Sequence, residues 1–289
     1  MEKYFQESEL ILNPDGSVYH LHLKPEHIAE NVIVVGDQSR VESISKYFDN
    51  IELKVQSREF VTHTGEYKNK RITVISTGIG TDNIDIVINE LDAAVNIDLE
   101  RRVLKEHHTS LNIIRLGTTG AMQPWLKTDT FIASVYGLGL DGLLNFYEHK
   151  DEITHPEISQ AFIKHTGWND HLPYPYVVKA SESLLNQYAQ ELNKGITATA
   201  PGFYGPQGRR LRIPLAFPEL NNKMESFNFE GNAITNFEME TSALYGLGLI
   251  LGHNTLTICN IIANRVNGTY SKNYKKSVDE MIRYVLEKV

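Results

Sequence analysis

Short runs of β-branched residues that end in glycine, each followed by a segment of helical period, constrain this chain most. Val32–Val35 is such a run, closing in Gly36-Asp37, and it reads as a buried strand. Ser39 or Asp37 can cap a helix after it, with Val41, Ile44 and Phe48 on one face. Ile72–Ser76 repeats the pattern. It ends in Thr77-Gly-Ile-Gly80 and leads into Ile84, Val87, Ile88, Leu91 and Val95 at helical spacing. Further strands are expected at Asn112–Leu116, Thr130–Tyr136, Ile196–Ala200, Ala233–Phe237 and Thr255–Ala263, and a closing amphipathic helix at Ser277–Leu286. The charged stretch Asp98–His108 either prolongs the second helix or breaks it, and Gly167–Pro175 reads as a loop. Strands alternating with helices predict an α/β fold with a mostly parallel sheet. Ligands in such folds sit at the carboxyl ends of strands. No repeat or linker divides the 289 residues, so one domain over 19–289 is expected, preceded by a tail, 1–18.

Charge and composition remove several classes of function. A formal net charge of −8 argues against a nucleic-acid partner, which needs a basic face. Any anion site must be a local concentration of arginine. Cys259 is the single cysteine, lies in an apolar run and reads as a core residue in a reduced setting. Met1–Asp15 lacks the apolar core of a signal peptide, and no run of about eighteen apolar residues exists. No membrane span is expected, and a cytoplasmic location is. The triplet Asn267-Gly-Thr is therefore idle as a glycosylation acceptor.

Arg115-Leu-Gly-Thr-Thr-Gly120 follows the apolar pair Ile113-Ile114 and reads as a turn at the end of a strand. Its glycines allow backbone N–H groups to approach an anion, and its arginine offers a planar fork suited to phosphate. Gly137-Leu-Gly-Leu-Asp-Gly142 satisfies the dinucleotide spacing G-x-G-x-x-G, but no second strand ending in an acid follows it. His107-His108, His149 and His155 have no companions at metal-ligand spacing, and solvated roles are expected for them. Glu238 and Glu240 flank Met239 just after an expected strand. They read equally as acids at a helix N-terminus or as acceptors for a vicinal diol such as ribose, through charge-assisted hydrogen bonds of about 1.5–3 kcal/mol each.

In order along residues 19–286, the chain carries Tyr19-His-Leu-His-Leu23, Gly36-Asp-Gln-Ser-Arg40, Ser57-Arg-Glu-Phe60, Ser76-Thr-Gly-Ile-Gly80, Ile114–Pro124, Phe203-Tyr-Gly-Pro-Gln-Gly-Arg209, Phe237-Glu-Met-Glu240 and Asn264-Arg265. On these motifs it resembles the nucleoside phosphorylase family, and within it the uridine phosphorylases. The resemblance implies an α/β/α sandwich around a central mixed sheet closed partly into a barrel. It implies pentosyl transfer: uridine and phosphate giving uracil and ribose 1-phosphate, with no covalent intermediate. Carried over position by position, it implies phosphate held by Gly36, Arg40, Arg115 and Thr118, with Arg58 reaching in from a neighbouring subunit. It implies ribose held by Met239 and Glu240, with the neighbour's copy of His20 at the 5′-hydroxyl. Gln207 and Arg209 would read the base against Phe203, and Thr119 and Gly120 would line the space between base and phosphate.

No organic cofactor is implied, inorganic phosphate being a co-substrate. Relatives hold potassium through a Glu, an Ile carbonyl and a Ser; Glu59 and Ile79 match, and Asn83 stands in place of the serine. Residues lent across an interface imply a homodimer, and three such dimers a hexamer, unless the insert at 92–112 stops assembly earlier. The base loop Gly205-Pro-Gln-Gly-Arg and the following Arg210-Leu-Arg-Ile-Pro-Leu depart from the family pattern. The competing readings are a phosphorylase or hydrolase of another nucleoside, and a non-catalytic nucleoside-binding protein of the same fold.

Overall fold

The computed structural model describes residues 4–289. The N-terminal portion holds β1 (Asn31–Val35), α1 (Gln38–Ser45), β2 (Asn50–Ser57), β3 (Phe60–Tyr67), β4 (Lys70–Ser76) and α2 (Thr81–Asn96). A two-strand ribbon follows, β5 (Ile97–Asp98) with β6 (Val103–Leu104), then β7 (Asn112–Ala121) and β8 (Phe131–Gly139). Next come α3 (Lys150–Ile153), α4 (Pro156–Thr166), β9 (Tyr176–Lys179), α5 (Glu182–Tyr188) and β10 (Asn193–Thr199). The chain closes with α6 (Leu220–Glu225), β11 (Asn228–Phe229), β12 (Asn232–Glu238), α7 (Thr241–Ile250), β13 (Asn254–Asn264), β14 (Thr269–Tyr270) and α8 (Tyr274–Leu286).

The main sheet runs β12-β10-β8-β13-β7-β1-β4-β3-β2, and β7 also pairs with β12, at Gly120–Phe237 and Ala121–Asn236. That second pairing closes five strands into a barrel, from which β1 to β4 extend as an open wing. Strand β1 lies between two parallel partners, β4 and β7, and four of its five residues are buried, as a strand covered on both faces requires. In register, Val35 faces Ser76 and Val34 faces Arg115, so the carboxyl ends of β4, β1 and β7 lie side by side. Asp37 caps α1 by accepting the Ser39 N–H at 2.9 Å. No helix among the described residues is long and apolar enough to cross a membrane.

One expectation changes, and two open readings are resolved. Arg115–Gly120 is not a turn: β7 continues through it to Ala121, paired with β13 along its length. A Cβ on Gly117 would lie 2.2 Å from Arg115 Nη1 and 2.8 Å from Cys259 Sγ. That glycine makes room for a buried guanidinium beside the strand; it does not turn the backbone. In the G-x-G-x-x-G stretch, Gly137 and Gly139 lie inside β8, where the Ser242 backbone and the Tyr176 ring would meet a Cβ. Asp98–His108 breaks the helix and forms the β5–β6 ribbon and a loop.

Candidate active site

Arg115 organises the buried end of the site. Its guanidinium pairs with Glu240 through Nη2 and stands 3.3 Å from Glu238 through Nη1. Burial pulls the Arg115 pKa down, but the charges of Glu240 and Glu238 outweigh it and hold the group above its ordinary value. Burial, with the charge of Glu238, pushes the Glu240 carboxyl up, and Arg115 and the Gly80 N–H oppose that shift. The two acids divide their work. Glu238 ends β12 and accepts the N–H groups of Glu240 (2.9 Å) and Thr241 (3.0 Å), capping α7. Glu240 accepts the Gly80 N–H at 2.8 Å and turns to Arg115. The helix-terminus reading therefore holds for Glu238, while Glu240 turns away from the helix end toward Arg115.

Arg40, on α1, reaches the same place, donating to the Leu116 carbonyl at 3.1 Å. Burial first, and the charge of Arg115 second, lower its pKa. Among the described residues no carboxylate lies within ion-pair distance of it, and the buried Nε of Arg115 has no hydrogen-bond partner. Glu240 and Glu238 answer the charge of Arg115, whereas no described carboxylate answers that of Arg40, and an anion at this end would balance it. Gly36 follows β1 directly, where a Cβ would stand 3.4 Å from the Gly78 carbonyl, and Thr118 lies on β7. Gly80 has φ +102°, a backbone that favours glycine, and this conformation delivers its N–H to Glu240.

The second cluster is built on the loop after β10. Gln207 is 2% exposed, and its side-chain oxygen accepts from Arg209 at 2.7 Å and Arg265 at 2.8 Å. Arg265 also donates to the Gln207 carbonyl. Burial, and the nearby charge of Arg209, bring the Arg265 guanidinium down to about 10. Phe203 is half exposed and carries the Arg209 guanidinium 3.7 Å above its ring. Gly120 leaves room for Arg265, whose Nε would stand 3.3 Å from a Cβ there. The Thr119 hydroxyl donates to the Phe237 carbonyl and accepts from Asn236, so it ties β7 to β12. Met239 is half-buried between the two acids. The atypical run after Arg209 folds over an apolar cavity of about 640 Å³ lined by Trp168, Leu172, Leu211, Ile213 and Phe217, with Arg209 on its rim.

His20 and Arg58 stand together on the outer surface. Arg58 lies 5.6 Å over the Tyr19 ring, and Tyr19 meets the His20 ring edge-on at 4.8 Å. Arg58 sits at φ +54° in the β2–β3 turn, and exposed. Glu59 and Asn83 flank Gly78, and the Asn83 amide donates to the Ile79 carbonyl at 3.3 Å.

Other reactive groups are accounted for by packing. Cys259 is buried beside Arg115 with its thiol pushed up to about 12, mainly by burial. His149 and His155 pair with Glu152 and Glu157. Asp92, His108 and His253 bring ligand atoms within 4.8 Å of one another. His253 Nδ1 accepts the Leu111 N–H at 3.1 Å, so its Nε2 carries the proton toward Asp92 at 3.3 Å and offers no lone pair to a metal. The roles missed from sequence are Gly80 as the donor to Glu240 and Arg265 as the clamp on Gln207. The matched pair Asn264-Arg265 was the available pointer to the last of these.

A family model described as the phosphorylase superfamily matches residues 30–288. A uridine phosphorylase of Thermococcus kodakarensis is 32% identical over 278 residues, 94% of this chain and 86% of that protein. A purine nucleoside phosphorylase, DeoD-type, of Tolumonas auensis is 27% identical over 93% of this chain and 97% of that one. Among solved structures, a Trypanosoma brucei nucleoside phosphorylase described as showing uridine phosphorylase activity superposes with a TM-score of 0.88. It is 30% identical, with 96% of this chain and 98% of that one covered.

Proposed function

The chain belongs to the phosphorylase superfamily, and we propose that within it the protein is a uridine phosphorylase. The observation that carries this reading is Arg40, a guanidinium with no carboxylate partner among the described residues, close to Arg115, whose Nε is unpartnered, with the carboxylate of Glu240 beside them. An anion bridged by both guanidinium groups would lie next to an acceptor suited to sugar hydroxyls.

The chemistry follows from those charges. A phosphate oxygen attacks the anomeric carbon as the glycosidic bond breaks, and the bonding pair leaves on the base nitrogen. Positive charge grows on the ribose ring above the bound phosphate. Negative charge grows on the base, where the Arg209 and Arg265 guanidinium groups and the Gln207 amide are already oriented. The base anion then takes a proton from water. Holding two substrates in register supplies much of the rate, up to about 7–11 kcal/mol in favourable models. The protein needs no nucleophile of its own.

Uracil is favoured over a purine by the guanidinium of Arg265, where a purine site calls for a group able to hand a proton to the ring nitrogen. His20 and Arg58 complete the site of a neighbouring copy in this reading, which makes the homodimer the working unit and a trimer of dimers its natural extension. The potassium site of relatives maps onto Glu59, the Ile79 carbonyl and Asn83, where the Asn83 amide donates to that carbonyl.

Incubation with uridine, deoxyuridine, thymidine, inosine and adenosine, with phosphate varied, tests the reading. Phosphate-dependent release of uracil is expected. Cleavage without phosphate means a nucleosidase, inosine cleaved in place of uridine means a purine enzyme, and binding without turnover means a non-catalytic relative. Two variants probe the two ends. Arg40→Ala is expected to raise the KM for phosphate about ten- to a hundredfold, the loss of one or two charge-assisted hydrogen bonds, and to leave nucleoside binding nearly unchanged. Gln207→Ala is expected to lower the uridine-to-inosine ratio of kcat/KM about tenfold or more. A phosphate KM unmoved by the first, or a base preference unmoved by the second, removes that role.

A further inference from the structure

Glu90, on α2, is spent entirely on the segment that carries His20. Its carboxylate accepts the His20 backbone N–H at 2.9 and 3.0 Å, the Leu21 N–H at 2.8 Å, and the His20 ring at 2.6 Å through Nδ1. An ionised carboxylate only accepts, so Nδ1 is the nitrogen that bears hydrogen. In the neutral ring the lone pair then sits on Nε2, at the far side. Tyr19 and Phe60 meet the ring edge-on at 4.8 and 6.5 Å and fix its plane. The His20 side chain is 28% exposed and that of Glu90 16%, so the carboxylate is largely covered while the ring faces outward. Nε2 has no partner among the described residues.

We propose that Glu90 is a positioning residue: it locks His20 in the tautomer that accepts a hydrogen bond, so that His20 selects an uncharged primary hydroxyl and turns away a 5′-phosphate. The proposal rests on the reading in which His20 stands at the 5′ end of a nucleoside in a neighbouring subunit. A 5′-hydroxyl can donate to Nε2. A phosphate monoester is rich in acceptors and negatively charged at neutral pH, so it meets a lone pair with an anionic carboxylate behind it. The dyad would thus discriminate nucleosides from nucleoside monophosphates, a selection that neither the phosphate clamp nor the base loop can make.

The test is Glu90→Gln, alone and combined with His20→Ala, assayed on uridine and 5′-deoxyuridine with uridine 5′-monophosphate as competing inhibitor. The preference for uridine over 5′-deoxyuridine is expected to fall about tenfold, through KM and not kcat, as for loss of one well-placed hydrogen bond. Inhibition by the monophosphate is expected to strengthen. The double variant should lose no more than His20→Ala alone, since both changes remove one interaction. Nitrogen-15 spectra of the imidazole give a readout free of turnover: one Nδ1–H tautomer for His20 in the parent protein, a mixture in Glu90→Gln. Equal losses on both nucleosides, additive effects, or an unchanged tautomer overturn the proposal. Absence of uridine phosphorolysis in the parent protein would instead overturn the functional reading, and the tautomer would still decide what Glu90 does.

Discussion

Arg115→Met is expected to cost about 3–5 kcal/mol of folding stability, because it strands buried carboxylates without their cation. For a chain of this size that corresponds to a fall of roughly 10 °C in the melting temperature. Glu238 suffers less than its neighbour, since it keeps the N–H groups of Glu240 and Thr241 and the Thr199 hydroxyl. Glu240 is left with the Gly80 N–H as its main stabilising contact, and its proton affinity rises further. The same substitution should lower phosphate-dependent turnover by about 10²–10³-fold, the scale found when one preorganised donor to a developing charge is removed. Arg115→Lys separates the two effects. It restores a cation beside the acids, and so part of the stability. It lacks the planar fork that can hold Glu240 and an anion together, so turnover should stay low. Calorimetry and single-substrate kinetics read both. If turnover survives in Arg115→Met while the melting temperature falls, Arg115 is a structural counter-ion and the phosphate site lies elsewhere.

Local sequence rules made half of this fold legible. The runs Val32–Val35 and Ile72–Ser76 are β-branched and end in glycine, and they became β1 and β4, with the glycines at the site. Helix α2 was visible because its apolar residues repeat at helical spacing along one buried face. What stayed hidden depends on distant partners. Helix α7 reads as an apolar run broken by Gly246 and Gly248, a poor helix by propensity. It forms because eight consecutive residues from Thr241 are buried, and its glycines make room for Leu144 and Thr255. Strands β2 and β3 flank a turn that places Arg58 at positive φ, which favours glycine and gives no cue in an arginine. The alternation Ile51, Leu53, Val55 was a period-two signal, weakened because those residues are only half buried on an edge strand.

The candidate site divides along the same line. Arg115 and the two glutamates stood out as residue types, yet their geometry came from the barrel closure between β7 and β12, a contact some 117 residues long in sequence. The expected anion nest of glycine turns gave way to a different device. Side-chain guanidinium groups carry the positive charge, and glycine at 117 makes the volume for one of them. A strand can host a buried arginine when the residue two places on has no side chain, and that spacing, Arg-x-Gly, is readable once the reason is known.

Glu240→Gln should be the most damaging isosteric change for catalysis. The amide keeps the volume and one acceptor oxygen, so the Gly80 N–H remains satisfied. What disappears is the charge that holds Arg115 and would accept ribose hydroxyls while positive charge builds on the ring. Loss of a charged acceptor of this kind is worth about 1.5–3 kcal/mol per hydrogen bond, or roughly ten- to a hundredfold each, and the electrostatic benefit to the ring adds to it. A fall in kcat/KM of about 10²–10³-fold on uridine is expected. The penalty should be smaller on 2′-deoxyuridine, which brings one hydroxyl fewer to the carboxylate. The pH profile gives an independent reading. The working form of Glu240 is the anion, and burial raises its pKa above the ordinary carboxylate value. Activity should therefore be full on the alkaline side and fall as pH drops through that raised value, earlier than for an exposed glutamate near about 4.3. Glu240→Gln should erase this acid limb together with most of the rate. An acid limb that survives the substitution unchanged would assign that titration to another group, and equal losses on uridine and 2′-deoxyuridine would move the carboxylate away from the 2′-hydroxyl.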